Sequence, residues 1–134
     1  MSIVTDASVL VALTSDAGRT GQWAEQLLAN EHLLVPHLAL VEATNILRRL
    51  ELAGKLERLA ATSAASDLVA IDMHLLPFTP FSDRVWELRA NLTSYDALYV
   101  AIAERFEMPL ATLDRKLADS PGPRCRFLLR DSTP

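Results

Sequence analysis

The chain has 134 residues, 50% of them hydrophobic and 22% charged, a composition typical of one soluble globular domain with a full apolar core. A single cysteine, Cys125, excludes an internal disulfide and a cysteine-rich zinc site, and a net charge of −4 argues against general binding of phosphate backbones. The N-terminus lacks the basic residues of a signal peptide and no apolar run reaches membrane length, so we expect a cytosolic protein with no membrane contact.

The first predicted strand, at 2–5, is short and β-rich, and it leads directly into an apolar segment at 7–13 that is typical of a helix. Asp6 lies between them and is suited to cap the helix. It has a second interpretation, because this strand is predicted to be central and open α/β sheets place ligands at the carboxyl ends of such strands. An amphipathic helix at 22–30 and a second strand at 32–36 follow.

The next predicted helix covers 38–53 and ends at Gly54. Glu42 lies beside its apolar face, and no cation stands three or four residues away to pair with it. Asn45 and Arg49 continue the same polar stripe, and an acid, an amide and a guanidinium in line suit a metal and a phosphate side by side. The alternative is the solvated face of a surface helix.

An Ala-rich segment at 55–70 predicts a helix that pairs with the preceding one as a helical hairpin, with Leu59 among its core candidates. A short strand at 71–78 follows. The sequence from Pro80 onward predicts another helix, in which Trp86 is expected to face the core.

The segment 94–104 predicts a buried helix, because residues 97–103 are apolar on every side. Ser94 is expected to cap this helix, which places Asp96 in the first turn, where a carboxylate interacts favourably with the helix dipole. A functional interpretation starts from the free-energy cost of burying a charge. A carboxylate that enters a core needs a partner or a cation, and the residues at helical spacing from Asp96 supply neither.

The last third of the chain predicts a strand at 109–114 that ends at Asp114, one turn of helix at 115–118, and a final strand at 126–129. The tail at 131–134 is expected to be frayed. Strands and helices thus alternate along a single predicted domain, residues 1–134. This alternation favours an α/β fold, a parallel β-sheet flanked by helices on both faces in an α/β/α sandwich.

Four acids are predicted to meet at one edge of that sheet, two after strands and two early in helices: Asp6, Glu42, Asp96 and Asp114. Four carboxylates do not stay ionised together without cations, and oxygen ligands select Mg²⁺ or Mn²⁺ over zinc. A carboxylate cluster without histidine suits metal-assisted phosphodiester hydrolysis. Setting these four aside leaves 13 of the 17 acids, equal to the 13 Lys and Arg, so the negative excess belongs to this one site.

Four segments, taken in order, resemble the motifs of the PIN-domain ribonucleases, and in particular the VapC toxins of bacterial toxin–antitoxin pairs: 4–8, 41–45, 95–97 and 111–114. The resemblance covers nearly the whole chain. It implies a PIN-like fold and a Mg²⁺-dependent endoribonuclease, with Mn²⁺ able to substitute, whose metal-binding and catalytic residues are Asp6, Glu42, Asp96 and Asp114. Ser8, Asn45 and Thr112 match supporting polar positions. The resemblance also implies a homodimer and a VapB-like antitoxin partner.

Three cations near the four acids are candidates for contacts to RNA: Arg49, Arg115 and Lys116. Solvated helix charges are the alternative interpretation of each. The competing hypothesis for the whole protein is a catalytically inactive PIN-like or receiver-like α/β module that acts through protein binding. Such a module would have no metal affinity and no convergence of acids, and a receiver domain would need a second acid near Asp6, which the sequence lacks.

Overall fold

The sheet is the element that positions every candidate side chain. The computed structural model describes residues 1–130, and the predicted frayed tail, 131–134, lies outside the described residues. Five strands form one sheet in the order β3-β2-β1-β4-β5, with all neighbours parallel. They are β1 (Ser2–Thr5), β2 (His32–Pro36), β3 (Met73–Leu76), β4 (Leu110–Ala111) and β5 (Phe127–Leu128). The first strand is central, as predicted.

Seven α-helices occur within residues 1–130, together with a 3₁₀ turn at Thr79–Phe81. A parallel strand is reached only by a crossover, and the crossovers carry most of these helices. The helices are α1 (Ala7–Ser15), α2 (Arg19–Leu28), α3 (His37–Leu52), α4 (Arg58–Ala70), α5 (Ser82–Glu87), α6 (Ser94–Arg105) and α7 (Arg115–Asp119). The predicted fold class, a parallel sheet flanked by helices, is confirmed.

Apolar cores lie on both faces of the sheet, because successive strand residues point to opposite sides. Ile3 belongs to a cluster that includes Leu28 of α2, whereas the adjacent Val4 belongs to a larger cluster that includes Tyr99 of α6. Gly21 permits the close approach of α2 to the end of α1, since a Cβ there would meet the Asp16 carbonyl oxygen at 1.7 Å. Among residues 1–130, no helix is both long and apolar enough to span a membrane.

Several predicted boundaries were wrong, and the reasons are local. Thr93, not Ser94, caps α6, since its hydroxyl accepts a hydrogen bond from the Asp96 N–H at 3.2 Å. The strand predicted at 109–114 ends at Ala111, and Asp114 instead caps α7, accepting from the Leu117 N–H at 3.3 Å.

Several side chains predicted to face the core are exposed, and two of them show why. Leu59 is 81% exposed on the outer side of α4, because that helix packs through Ala61, Ala64 and Leu68. Trp86 is 66% exposed, and the guanidinium of Arg89 lies over its ring, 4.4 Å from the centroid.

An ion pair joins α5, α6 and the loop before β5. Arg84 donates two hydrogen bonds to the Glu104 carboxylate, from Nε at 2.7 Å and from Nη2 at 3.2 Å. The same Nη2 also donates to the Gly122 carbonyl at 3.0 Å. Glu104 further accepts from the Arg124 N–H at 2.7 Å. Burial by itself would raise the pKa of Glu104, but these hydrogen bonds and charges outweigh it, and the pKa is lowered.

We expect Glu104→Gln to reduce the free energy of unfolding by about 2 kcal/mol at neutral pH, as for other charge-assisted hydrogen bonds. Because the pKa of Glu104 is lowered in the folded state, this stabilisation is present above the ordinary value of 4.5 and is lost as the pH falls through the folded-state value. Urea unfolding from neutral to acidic pH measures it.

The matched control is Glu87→Gln, because Glu87 also approaches Arg84, at 3.5 Å, but its side chain is 64% exposed. An exposed pair contributes little, so this variant should unfold like the wild type. Equal stability of the two variants at every pH would show that the Arg84–Glu104 contact contributes nothing beyond a surface ion pair.

Candidate active site

Asp6 is the most constrained of the four acids. It follows β1 directly and is only 8% exposed. Its Oδ1 accepts from the Ser8 hydroxyl at 2.6 Å and from the Val9 N–H at 3.3 Å, and its Oδ2 accepts from the Thr112 hydroxyl. Asp6 therefore caps α1, as predicted, while it also ties the end of β1 to the residue that follows β4.

The loop after β4 is held by the same hydroxyls. Leu113 donates its N–H to the Ser8 hydroxyl at 3.2 Å, and Asp114 donates its N–H to the Thr112 hydroxyl at 3.0 Å. Two of the three residues predicted to support the acids, Ser8 and Thr112, thus contact Asp6 directly. The third, Asn45, is exposed on α3, one turn beyond Glu42.

Glu42 has a partner that sequence reasoning missed. The Tyr99 side chain is buried in α6, 1% exposed, and its hydroxyl donates to Glu42 Oε1 at 2.6 Å. A buried phenol generally finds a hydrogen-bond partner, so the single tyrosine within the apolar segment 97–103 was the available signal. The bond joins α3 to α6 and directs Glu42 towards the helix that carries Asp96.

Burial, together with neighbouring carboxylates in two cases, raises the pKa values of Asp6, Glu42 and Asp96. Burial raises the pKa of Asp6, although the hydrogen bonds from Ser8 and Thr112 oppose it. Burial also raises the pKa of Glu42, with further contributions from the charges of Asp96 and Asp6. The pKa of Asp96 is raised by burial and by the charges of Asp114 and Asp6. The structure thus places the four acids within mutual electrostatic range, with Asp114 exposed at the rim.

The donor set has the chemistry of a site for a hard divalent cation, since it offers carboxylate and hydroxyl oxygens and no histidine or thiolate. Within residues 1–130, no group of three or more His, Cys, Asp and Glu side chains is arranged to hold a metal ion. The carboxylates are instead bonded to hydroxyls, Asp6 to Ser8 and Thr112 and Glu42 to Tyr99. The residues fit a cation by charge and donor type, and a carboxylate, which has about four lone-pair sites, can bind a metal while it accepts these hydrogen bonds.

The candidate RNA contacts differ in position. Arg115 and Lys116 are exposed at the start of α7, directly after Asp114. Arg49 is exposed in the last turn of α3, seven residues beyond Glu42, which corresponds to about 10 Å along the helix axis.

A cavity of about 590 Å³ lies at the opposite edge of the sheet, where the end of α6 meets the start of β4, and Cys125 is part of its lining. Burial raises the pKa of the Cys125 thiol to about 11, so the thiol stays protonated at neutral pH and is a poor nucleophile. Size alone therefore does not mark the reactive site, and the cluster of acids does.

We expect Asp96→Asn to raise the melting temperature of the metal-free protein at neutral pH by roughly 2–5 °C, because the substitution removes a carboxylate that its neighbours repel. The raised pKa of Asp96 means that its ionisation costs stability at neutral pH, and that this cost disappears as the pH falls towards 3.8. The gain should shrink over the same range. Thermal unfolding in EDTA at several pH values measures it.

Asp83→Asn is the control, since Asp83 is an exposed acid in the first turn of α5, away from the other acids. It should lose, at most, a small favourable interaction with its helix dipole. If Asp96→Asn proved no more stable than Asp83→Asn at neutral pH, repulsion among the acids would not be a destabilising feature of the fold.

This sequence and fold are similar to those of known proteins. The family model described as "PIN domain" matches residues 3–122. The "VapC ribonuclease Mb0985" of Mycobacterium bovis is 37% identical over 123 residues, which covers 92% of this chain and 94% of that protein.

Two solved structures illustrate the shared fold. PAE2754 from Pyrobaculum aerophilum superposes with a TM-score of 0.69 at 25% identity, covering 95% of this chain and 83% of that one. A chain of a toxin–antitoxin complex from Klebsiella pneumoniae has a TM-score of 0.60 at 20% identity, covering 95% and 96% of the two chains. The four motifs predicted this outcome, and the match across most of its length shows that the chain belongs to the PIN-domain family, with VapC ribonucleases among its relatives.

Proposed function

We propose that this protein is a Mg²⁺-dependent endoribonuclease, the toxin component of a VapBC-type toxin–antitoxin pair, and that it hydrolyses RNA phosphodiester bonds. The observation that carries the proposal is the convergence of Asp6, which follows β1, with Glu42 of α3 and Asp96 of α6, where burial and neighbouring carboxylates raise the pKa values. The relative in Mycobacterium bovis, named a VapC ribonuclease, supports RNA as the substrate. A cytosolic location stays a prediction from the sequence.

The cation would be held by Asp6, Glu42, Asp96 and Asp114. Its chemistry when bound is Lewis-acid polarisation of the scissile phosphate and of the attacking water. The chain's own residues set the geometry. Ser8 and Thr112 hold both oxygens of Asp6, and Tyr99 directs one oxygen of Glu42, so that two of the carboxylates are already oriented before RNA arrives.

An antitoxin and a second copy of the chain are proposed as partners. The solved toxin–antitoxin complex from Klebsiella pneumoniae supports the first. The anionic site suits an antitoxin that inserts an arginine among the four carboxylates, which would exclude both metal and RNA. Exposed apolar side chains on α3 and α4 supply contact surface for a homodimer or for the antitoxin, namely Val41, Leu52, Leu59 and Val69.

We expect the purified protein to cleave single-stranded RNA in Mg²⁺ or Mn²⁺, to lose that activity in EDTA, and to lose it in the Asp96→Asn variant. The reason is that removing one carboxylate from the group weakens binding of the cation. Isothermal titration with Mn²⁺ gives an independent readout. With Mg²⁺ at ~100 times its dissociation constant, the folded wild type should gain roughly 2.7 kcal/mol in stability.

Asp83→Asn again serves as the control and should bind Mn²⁺ and cleave RNA like the wild type. Unchanged Mn²⁺ binding in Asp96→Asn would remove Asp96 from the metal site. A wild type that binds Mn²⁺ but leaves RNA intact would favour the inactive protein-binding module.

The surface outside the four acids has no net charge, so contacts to RNA should be local. We propose Arg49, Arg115 and Lys116 as phosphate contacts. Changing all three to Ala should raise KM for RNA and flatten its salt dependence, because fewer counterions are released on binding, while Mn²⁺ affinity stays within a few-fold. Cleavage assays over a range of KCl concentrations measure both, and a wild-type KM and salt slope in the triple variant would place the phosphate contacts elsewhere.

A further inference from the structure

A second cavity, of about 330 Å³, lies beside the acids. It is lined by two arginines, a threonine and two leucines: Thr20, Leu113, Arg115, Leu129 and Arg130. We call it the arginine cavity. The proposed function uses only Arg115 among these residues, and neither Thr20 nor Arg130 was singled out by the sequence.

The sheet places this cavity at the same edge as the acids. Strands β1, β4 and β5 are adjacent and parallel, so the residues that follow them emerge side by side. Asp6 follows β1, Asp114 lies three residues after β4, and Arg130 lies two residues after β5. Since neighbouring strands are about 4.8 Å apart, the end of β5 is about 10 Å from the end of β1.

One wall of the cavity is bonded to the acidic site. Leu113, which lines the cavity, donates its N–H to the hydroxyl of Ser8 at 3.2 Å, and that hydroxyl donates to Asp6 at 2.6 Å. Leu113 is also flanked by Thr112, which bonds Asp6, and by Asp114. The cavity and the carboxylates therefore share one hydrogen-bonded loop and keep a defined separation.

The cavity has the chemistry of a phosphate subsite. Neither Arg115 nor Arg130 forms an ion pair with an acid in the part of the chain that the structure describes. The nearby carboxylate of Asp16 accepts the Gly18 N–H at 2.7 Å, within its own turn. Guanidinium groups bind phosphate through paired N–H donors, the Thr20 hydroxyl is a further donor, and the leucines offer an apolar wall for a ribose or base.

We propose that the arginine cavity binds a backbone phosphate of the RNA that flanks the scissile bond, so that the strand runs from the four acids across β4 towards β5. The proposal rests on the proposed function and extends it, because it assigns a direction to the bound strand and adds Arg130 and Thr20 to the binding surface. Arg130 acts here as a binding residue for a phosphate that is not cleaved.

The test uses two single-stranded RNAs with the same cleavage site, one extended on both sides and one trimmed to the nucleotides next to the scissile bond. Binding is measured by fluorescence anisotropy in the Asp96→Asn background, where RNA is not cut, and KM is measured in the active enzyme. Arg130→Gln should weaken binding of the extended RNA about tenfold or more, with the trimmed RNA almost unaffected. For the extended RNA, the slope of log binding constant against log salt concentration should become shallower by roughly 0.7, the value for one phosphate contact to a single strand.

The matched control is Arg105→Gln, an exposed arginine at the far end of α6, which should leave both RNAs unaffected. Arg130→Lys keeps the charge without the paired donors and should recover part of the loss. Arg115→Gln, on the same cavity, repeats the test if Arg130→Gln melts below the wild type.

The outcomes separate the two proposals. If the wild type cleaves RNA and Arg130→Gln binds the extended RNA as tightly as Arg105→Gln does, the subsite is wrong and the nuclease stands. If the wild type neither binds nor cleaves either RNA, both proposals are overturned.

Discussion

The burial of the Asp6 carboxylate is the constraint on which the site depends. A charge that is 8% exposed at the end of a central strand is costly unless hydrogen bonds compensate for it. Ser8, Val9 and Thr112 supply those bonds. In doing so they join β1, the first turn of α1 and the loop after β4, and that loop carries Asp114. The hydrogen bonds that stabilise the buried Asp6 carboxylate therefore also fix the positions of the segments around it.

These hydrogen bonds do not fully offset the cost of burying charged carboxylates, and the remaining cost is visible in the pKa values. The pKa values of Asp6, Glu42 and Asp96 are all raised, whereas the pKa of the paired Glu104 elsewhere in the fold is lowered. Glu104 forms an ion pair with Arg84, whereas Asp6, Glu42 and Asp96 lie close to other carboxylates. Such clustered carboxylates are typical of functional sites, because a bound cation relieves a repulsion that the protein alone does not.

The same edge of the sheet also explains how an acidic protein could handle a polyanion. Asp6 and Asp114 follow β1 and β4, while Arg115 and Arg130 line a cavity beside them that extends to the end of β5. In the proposed complex, a phosphodiester would lie between a metal ion held by the acids and the guanidinium groups, with favourable charge on both sides. Net charge averages over the surface and does not describe this local separation.

The sequence by itself determined the order of most strands and helices, the central place of β1 and the family, and it named four acids as a candidate site, because periodicity and motifs are local properties. Only the tertiary structure decided which atoms meet. Tyr99 contacts Glu42 across 57 residues and Thr112 contacts Asp6 across 106, and both bonds depend on strand order and helix packing, which short-range patterns do not encode. Arg130 joins the same edge for a similar reason: β5 pairs in parallel with β4, so a residue near the end of the described chain lies beside one near its beginning.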